Sequence, residues 1–153
     1  MPLEWLSLFG SLPEIITGLS KKARTNVVTK RLLISELKNN LKHFKTAKRN
    51  NFNYSQLIAI LANVEIIEAR RNGFRFSKVK GGAITNIVIK DKRNKRYIGK
   101  DCEWLFHSIS DKILELKAIY ALNPLTNLDK SNMPLQFSNL FYKMKLLAEF
   151  INV

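Results

Sequence analysis

Two histidines, one cysteine and twelve carboxylates bound the chemistry open to this chain. His43 and His107 are too few for a metal site built from imidazoles. Neither has an arginine four to six residues before it, so a helical ribonuclease pair of Arg and His is not indicated. His43, on a basic stretch, reads as a solvated side chain, and His107, beside Phe106, as a packed one. Cys102 opens a predicted helix, where the dipole favours thiolate, but Asp101 and Glu103 flank it and oppose ionisation. A structural thiol is expected. A single cysteine also excludes an intramolecular disulfide and a cysteine-cluster zinc site. Glu65 with Glu68, and Asp111 with Glu115, are helical neighbours that two helices could bring together around metals. The Glu-x-x-His element of di-iron bundles is missing, and Arg71 and Lys112 lie one turn away as partners for Glu68 and Glu115. Gly81-Gly82 is not followed by the Gly-Lys-Ser/Thr of a Walker loop. The expectation is no catalytic residue, no metal, no cofactor and no enzyme.

The remaining chemistry is charge. The chain carries 26 Lys or Arg against 12 Asp or Glu, a formal net charge of +14. The excess is local: Lys21 to Arg49 hold ten basic residues and one acid, Glu36, and Arg70 to Lys100 hold eleven and one acid, Asp91. Asp101 to Val153 is close to neutral, with five basic residues facing six acids. Side by side, the two blocks would make one positive face that attracts polyanions. Lys38, Lys42, Lys45 and Arg49 recur at helical spacings of three and four, and Lys92, Arg93, Lys95 and Arg96 crowd a mobile-looking loop with Tyr97 available for stacking. These are the candidate nucleic-acid contacts, salt-sensitive and blind to sequence. Other readings stand beside that one. The face could be solvated lysine in a composition with 18 Lys to 8 Arg and 15 each of Asn and Ile, as an AT-rich coding sequence produces, or it could dock an acidic protein.

These side chains must be positioned by helices. Val27, Ile34 and Leu41 recur every seven residues with Leu37 and Phe44 between them, which predicts a long helix over 22–49. Leu33 and Val28 widen the stripe to the width a bundle needs. After an Asn50–Asn53 turn, Asn53 and Gln56 have capping-box spacing, and one helix is predicted from Tyr54 to Arg71 with Gly73 as its left-handed cap. Residues 74–100 offer a small hairpin or loop with short helical turns, and the latter is preferred because two or three short strands make a marginal sheet. Asp101 caps a further helix to about Leu122, stopped by Asn123-Pro124, and another runs from about Met133 to Ile151. The fold class expected is all-α: one helical domain over 1–153, a bundle of four long helices plus a short amphipathic N-terminal one, with an irregular basic connection at 74–100.

The N-terminal segment is a second candidate device. Trp5, Leu8, Phe9, Leu12, Ile15, Ile16 and Leu19 fall within an arc of about 120°. Lys21, Lys22 and Arg24 follow, as in helices that lie on anionic lipid. Pro13 makes a split attractive: a short helix ending near Gly10 and a new start at Ser11. Leu8-Phe9-Gly10-Ser11-Leu12, then Ile15-Ile16 and Leu19, leads into a basic helix with Ile34, Leu37 and Leu41. This stretch, about the first 45 residues, resembles the opening of HeLo-like helical domains. The resemblance implies a membrane-permeabilising defence effector acting through its first helix. The competing expectation is that the same stripe docks on the core.

The longest stretch without a charge is 15 residues, Asn50 to Val64, shorter than the ~20 a spanning helix needs. Glu4 stands where a secretory signal would carry Lys or Arg, so a cytoplasmic location is expected, with peripheral membrane attachment as the variant. Nucleic acid or another polyanion is the first partner expected, an anionic membrane surface or an acidic protein the others.

Overall fold

The chain's apolar stripes are satisfied by wrapping helices around the C-terminal one. A computed structural model describes residues 10–24, 28–122 and 132–153. Among them are α1 (Leu12–Arg24), α2 (Val28–Arg49), α3 (Tyr54–Ile60), α4 (Val64–Arg71), α5 (Cys102–Leu122) and α6 (Met133–Asn152), with 3-10 helices at Phe76–Lys78 and Lys92–Tyr97. The domain is an all-α helical bundle, as expected, but only α2, α5 and α6 are long. On α6, Leu140, Phe141, Met144, Leu147, Ala148 and Ile151 are buried, and so are Tyr142, Leu146 and Phe150 on its other faces. A helix that is apolar all round belongs in the interior. α6 packs on α1, α2, α5 and the 92–97 turn. Phe44 of α2 meets Phe137 and Phe141 of α6 at ring-centroid distances of 6.2 and 5.2 Å, and Tyr54 stacks on Phe137 at 4.9 Å.

The single helix expected from Tyr54 to Arg71 is broken at Leu61–Asn63, and the break is held from a distance. Asn40 of α2 pairs with Ala62 as a strand would, its Nδ2 donating to the Ala62 carbonyl at 2.7 Å and its Oδ1 accepting from the Ala62 N–H at 2.9 Å. Glu36, also on α2, accepts from the N–H groups of Glu65 at 2.8 Å and Ile66 at 3.4 Å, so a buried carboxylate serves the orphan donors at the start of α4. Asn63 Nδ2 reaches Ser110 on α5, and Lys117 Nζ donates to the Ile58 carbonyl at 2.8 Å at the end of α3. The local caps follow the sequence. Asn53 and Gln56 form the capping box, and Gly73, at φ 68°, closes α4 with Phe74 N–H bonded to Ala69 O and Gly73 N–H to Arg70 O.

Residues 74–100 form turns and short 3-10 helices on the bundle. Phe76 is buried against Phe106 at 5.3 Å. Ile84 donates its N–H to the Lys100 carbonyl and accepts from the Gly99 N–H, both at 2.9 Å, beside an antiparallel bridge of Ala83 with Asp101. This clasp brings the two ends of the basic loop together at the start of α5, where Asp101 Oδ1 accepts from the Trp104 N–H at 2.8 Å.

The N-terminal device is corrected here. Leu12, Ile15 and Leu19 keep 0, 7 and 0% of their surface, Ile16 packs against the same core, and α1 lies on α2 and α6. These side chains are core ligands of α6. Among the described residues no helix is long and apolar enough to cross a membrane. The HeLo-like resemblance, and with it the membrane-associated defence effector, is therefore overturned. Trp5, Leu8 and Phe9 lie outside the described residues, as does the Asn123-Pro124 stop.

Candidate functional site

The period of a 3-10 helix explains what the basic loop does with its side chains. With three residues per turn, positions i and i+3 eclipse. Asn94 and Tyr97 share the inward face and are buried, while Lys92, Arg93, Lys95 and Arg96 fall on the other two faces and are exposed. Asp91 caps the turn, its Oδ1 accepting from the Arg93 N–H at 2.9 Å. The segment is a 3-10 helix docked on α6. Two guanidinium groups lie on rings: Arg93 at 4.8 Å from the Tyr142 centroid and Arg96 at 4.9 Å from Tyr97. Such stacking holds the planar guanidinium in place on the ring.

Tyr97 itself is not a stacking platform. It keeps 7% of its surface and tilts against Trp104 at 5.5 Å. Trp104, 36% exposed, is the aromatic ring this region shows to solvent, with Lys100 Nζ 5.0 Å from its centroid.

On α2, Lys42 and Arg49 are exposed, and Lys38 and Lys45 are half-buried. Lys38 Nζ donates to Ser20 Oγ on α1 at 3.4 Å. α2 packs on α1, α3, α4 and α6, whereas the 92–97 turn packs on α6. The two basic stretches are thus not built into one face, which corrects the single positive surface expected from the sequence.

The structure assembles a cation that the sequence reading missed. Lys143, on α6, keeps 9% of its surface. Its Nζ donates to Ser108 Oγ of α5 at 2.6 Å and sits 5.9 and 5.8 Å from the Tyr97 and Trp104 rings. Burial, then the nearby Lys112 and Arg96, pull its pKa down to about 8, with Asp111 and Glu115 acting the other way. The signal was the residue's immediate company, Phe141-Tyr142 before it and Met144 after it.

Of the other titratable side chains, His43 is half-buried and not the solvated group expected. Cys102 is buried, and burial first of all pushes its thiol up to about 12, away from thiolate. His107 packs edge-on to Phe76 at 5.1 Å, and burial followed by Arg70 lowers its pKa. It borders a pocket of about 620 Å³ shared with Phe74, Phe76 and Cys102. Burial also lowers the pKa of His43. Glu68 pairs with Arg71 at 3.1 Å and Glu115 with Lys112 at 2.9 Å, as their spacing suggested, and Asp111 pairs with Arg70 of α4 at 3.2 Å. Among the described residues no group of three or more His, Cys, Asp or Glu is placed to hold a metal ion. Neither a family model, nor a curated protein, nor a solved structure matches this chain.

Proposed function

We propose that the protein is a non-enzymatic binding module for an anionic partner, nucleic-acid backbone first. One observation carries it: an ordered, capped 3-10 turn exposes Lys92, Arg93, Lys95 and Arg96 while burying the residues between them. The guanidinium groups of Arg93 and Arg96, held on rings, lose less side-chain entropy on meeting phosphate than cations on a free loop. Lys42 and Arg49 on α2 form a separate, weaker set. The contacts are to backbone phosphate, so discrimination among sequences is small.

The test is binding to single- and double-stranded DNA and RNA across a salt series. Affinity is expected to fall steeply as salt rises. Replacing Lys92, Arg93, Lys95 and Arg96 by alanine together is expected to flatten the logarithmic salt slope by about 3. Binding that is absent at low salt, indifferent to salt, or unchanged in the quadruple variant sinks the proposal.

A further inference from the structure

Among the described residues Lys143 forms no ion pair, Asp111 and Glu115 being engaged by Arg70 and Lys112. Nine-tenths buried, its ammonium has one oxygen acceptor, Ser108 Oγ, and two aromatic rings as company. Its low pKa marks the same deficit. A buried charge left without an opposite charge is costly, and proteins keep one where something else completes it.

The ammonium borders a groove of about 480 Å³ between α5, α6 and the end of α4, within the size range of small-molecule sites. The groove's charges nearly cancel. Arg70 is engaged by Asp111 and Lys112 by Glu115, and His107, with its lowered pKa, is neutral at pH 7. Among the described residues that line the groove, Lys143 is the positive charge left in excess, Arg96 lying outside the lining on the Tyr97 ring. The match is therefore a monoanion. A phosphate monoester, with a charge of about −1.5 to −2 at pH 7, would leave negative charge uncompensated beside Asp111 and Glu115. Trp104, partly exposed and flat, lines the groove on the same stripe of α5, one turn before Ser108 and two to three turns before the carboxylates.

We propose that this groove binds a small monocarboxylate with a flat apolar body, its carboxylate on the Lys143 ammonium and the Ser108 hydroxyl, its flat face along Trp104. None of the exposed turn cations lines the groove, and the proposal does not depend on nucleic-acid binding.

Benzoate, acetate and inorganic phosphate are the probes, titrated into the full chain by calorimetry and by NMR of the Trp104 indole and Ser108 amide. Benzoate is expected to bind saturably and more tightly than acetate, with phosphate weaker than benzoate. Lys143→Met, of similar length and uncharged, is expected to weaken benzoate about tenfold or more. Circular dichroism checks that the variant folds; should it not, Ser108→Ala, with an expected loss of about threefold to tenfold, decides. Absence of saturable benzoate binding, tighter binding of phosphate, or unchanged benzoate affinity in the folded variant overturns the proposal.

Discussion

At the scale of single residues, the most informative side chains are polar ones in the interior. Glu36 keeps 7% of its surface and holds the first turn of α4 through two N–H groups. Burial raises its pKa above the ordinary carboxylate value, while those N–H groups act to lower it. As pH rises, the unfolded chain therefore loses this proton first. The contribution of Glu36 to stability is full below the ordinary carboxylate pKa and declines as pH climbs toward the raised folded value. Glu36→Gln keeps an acceptor for the Glu65 N–H and cannot ionise. Its stability relative to wild type is expected to grow between roughly pH 4 and roughly pH 7. Glu36→Ala, which orphans both donors, is expected to cost about 1–3 kcal/mol. Urea unfolding of the three proteins at both pH values reads this out, and a Gln-minus-wild-type difference that does not change with pH contradicts it.

At the scale of elements, contacts close in sequence were legible and distant ones were not. The Asn53 capping box, the Gly73 cap and the Asp101 cap each depend on residues within a few positions, and each stands as the sequence predicts. The break at Leu61–Asn63 depends on Glu36, Asn40 and Ser110, between 22 and 47 residues away, so no local pattern announces it. The burial of Tyr97 escaped for a related reason: a period of three is easily lost in a run of lysines and arginines. The start of α1 at Leu12 was legible from Pro13, but whether its apolar stripe meets core or lipid depends on α2 and α6. How α1 meets α6 offers a prediction. A Cβ at Gly18 would stand 2.7–2.8 Å from the Asn152 amide atoms, and Asn152 Nδ2 donates to the Ile15 carbonyl at 3.2 Å. Gly18→Ala alone displaces that amide and is expected to destabilise or gain nothing. In an Asn152→Ala background the same change is expected to stabilise by about 0.8–1 kcal/mol, the helix preference of alanine over glycine. A double-mutant cycle in urea measures the coupling, and additive effects would show that the close approach has no energetic weight.

At the scale of the whole molecule, the net charge of +14 is a load on the folded state. Like charges confined to a compact volume repel more than along an unfolded chain, and added salt screens them over about 10 Å at 0.1 M. Raising sodium chloride from about 50 mM to about 500 mM is therefore expected to raise the thermal midpoint by calorimetry; a flat or falling midpoint contradicts this. The clasp at Ile84 bears on how such a load can be carried. Because Ile84 bonds to both Gly99 and Lys100, the two ends of the 85–98 segment meet at one point. The charged turn is in that sense a handle, anchored by Val88, Asn94 and Tyr97. Lengthening a handle is cheap, each doubling of a loop costing only about 0.6 kcal/mol. Chains built on this bundle can change the length and charge of the handle while α6 and its surrounding helices stay as they are, so recognition and architecture are free to diverge at separate rates.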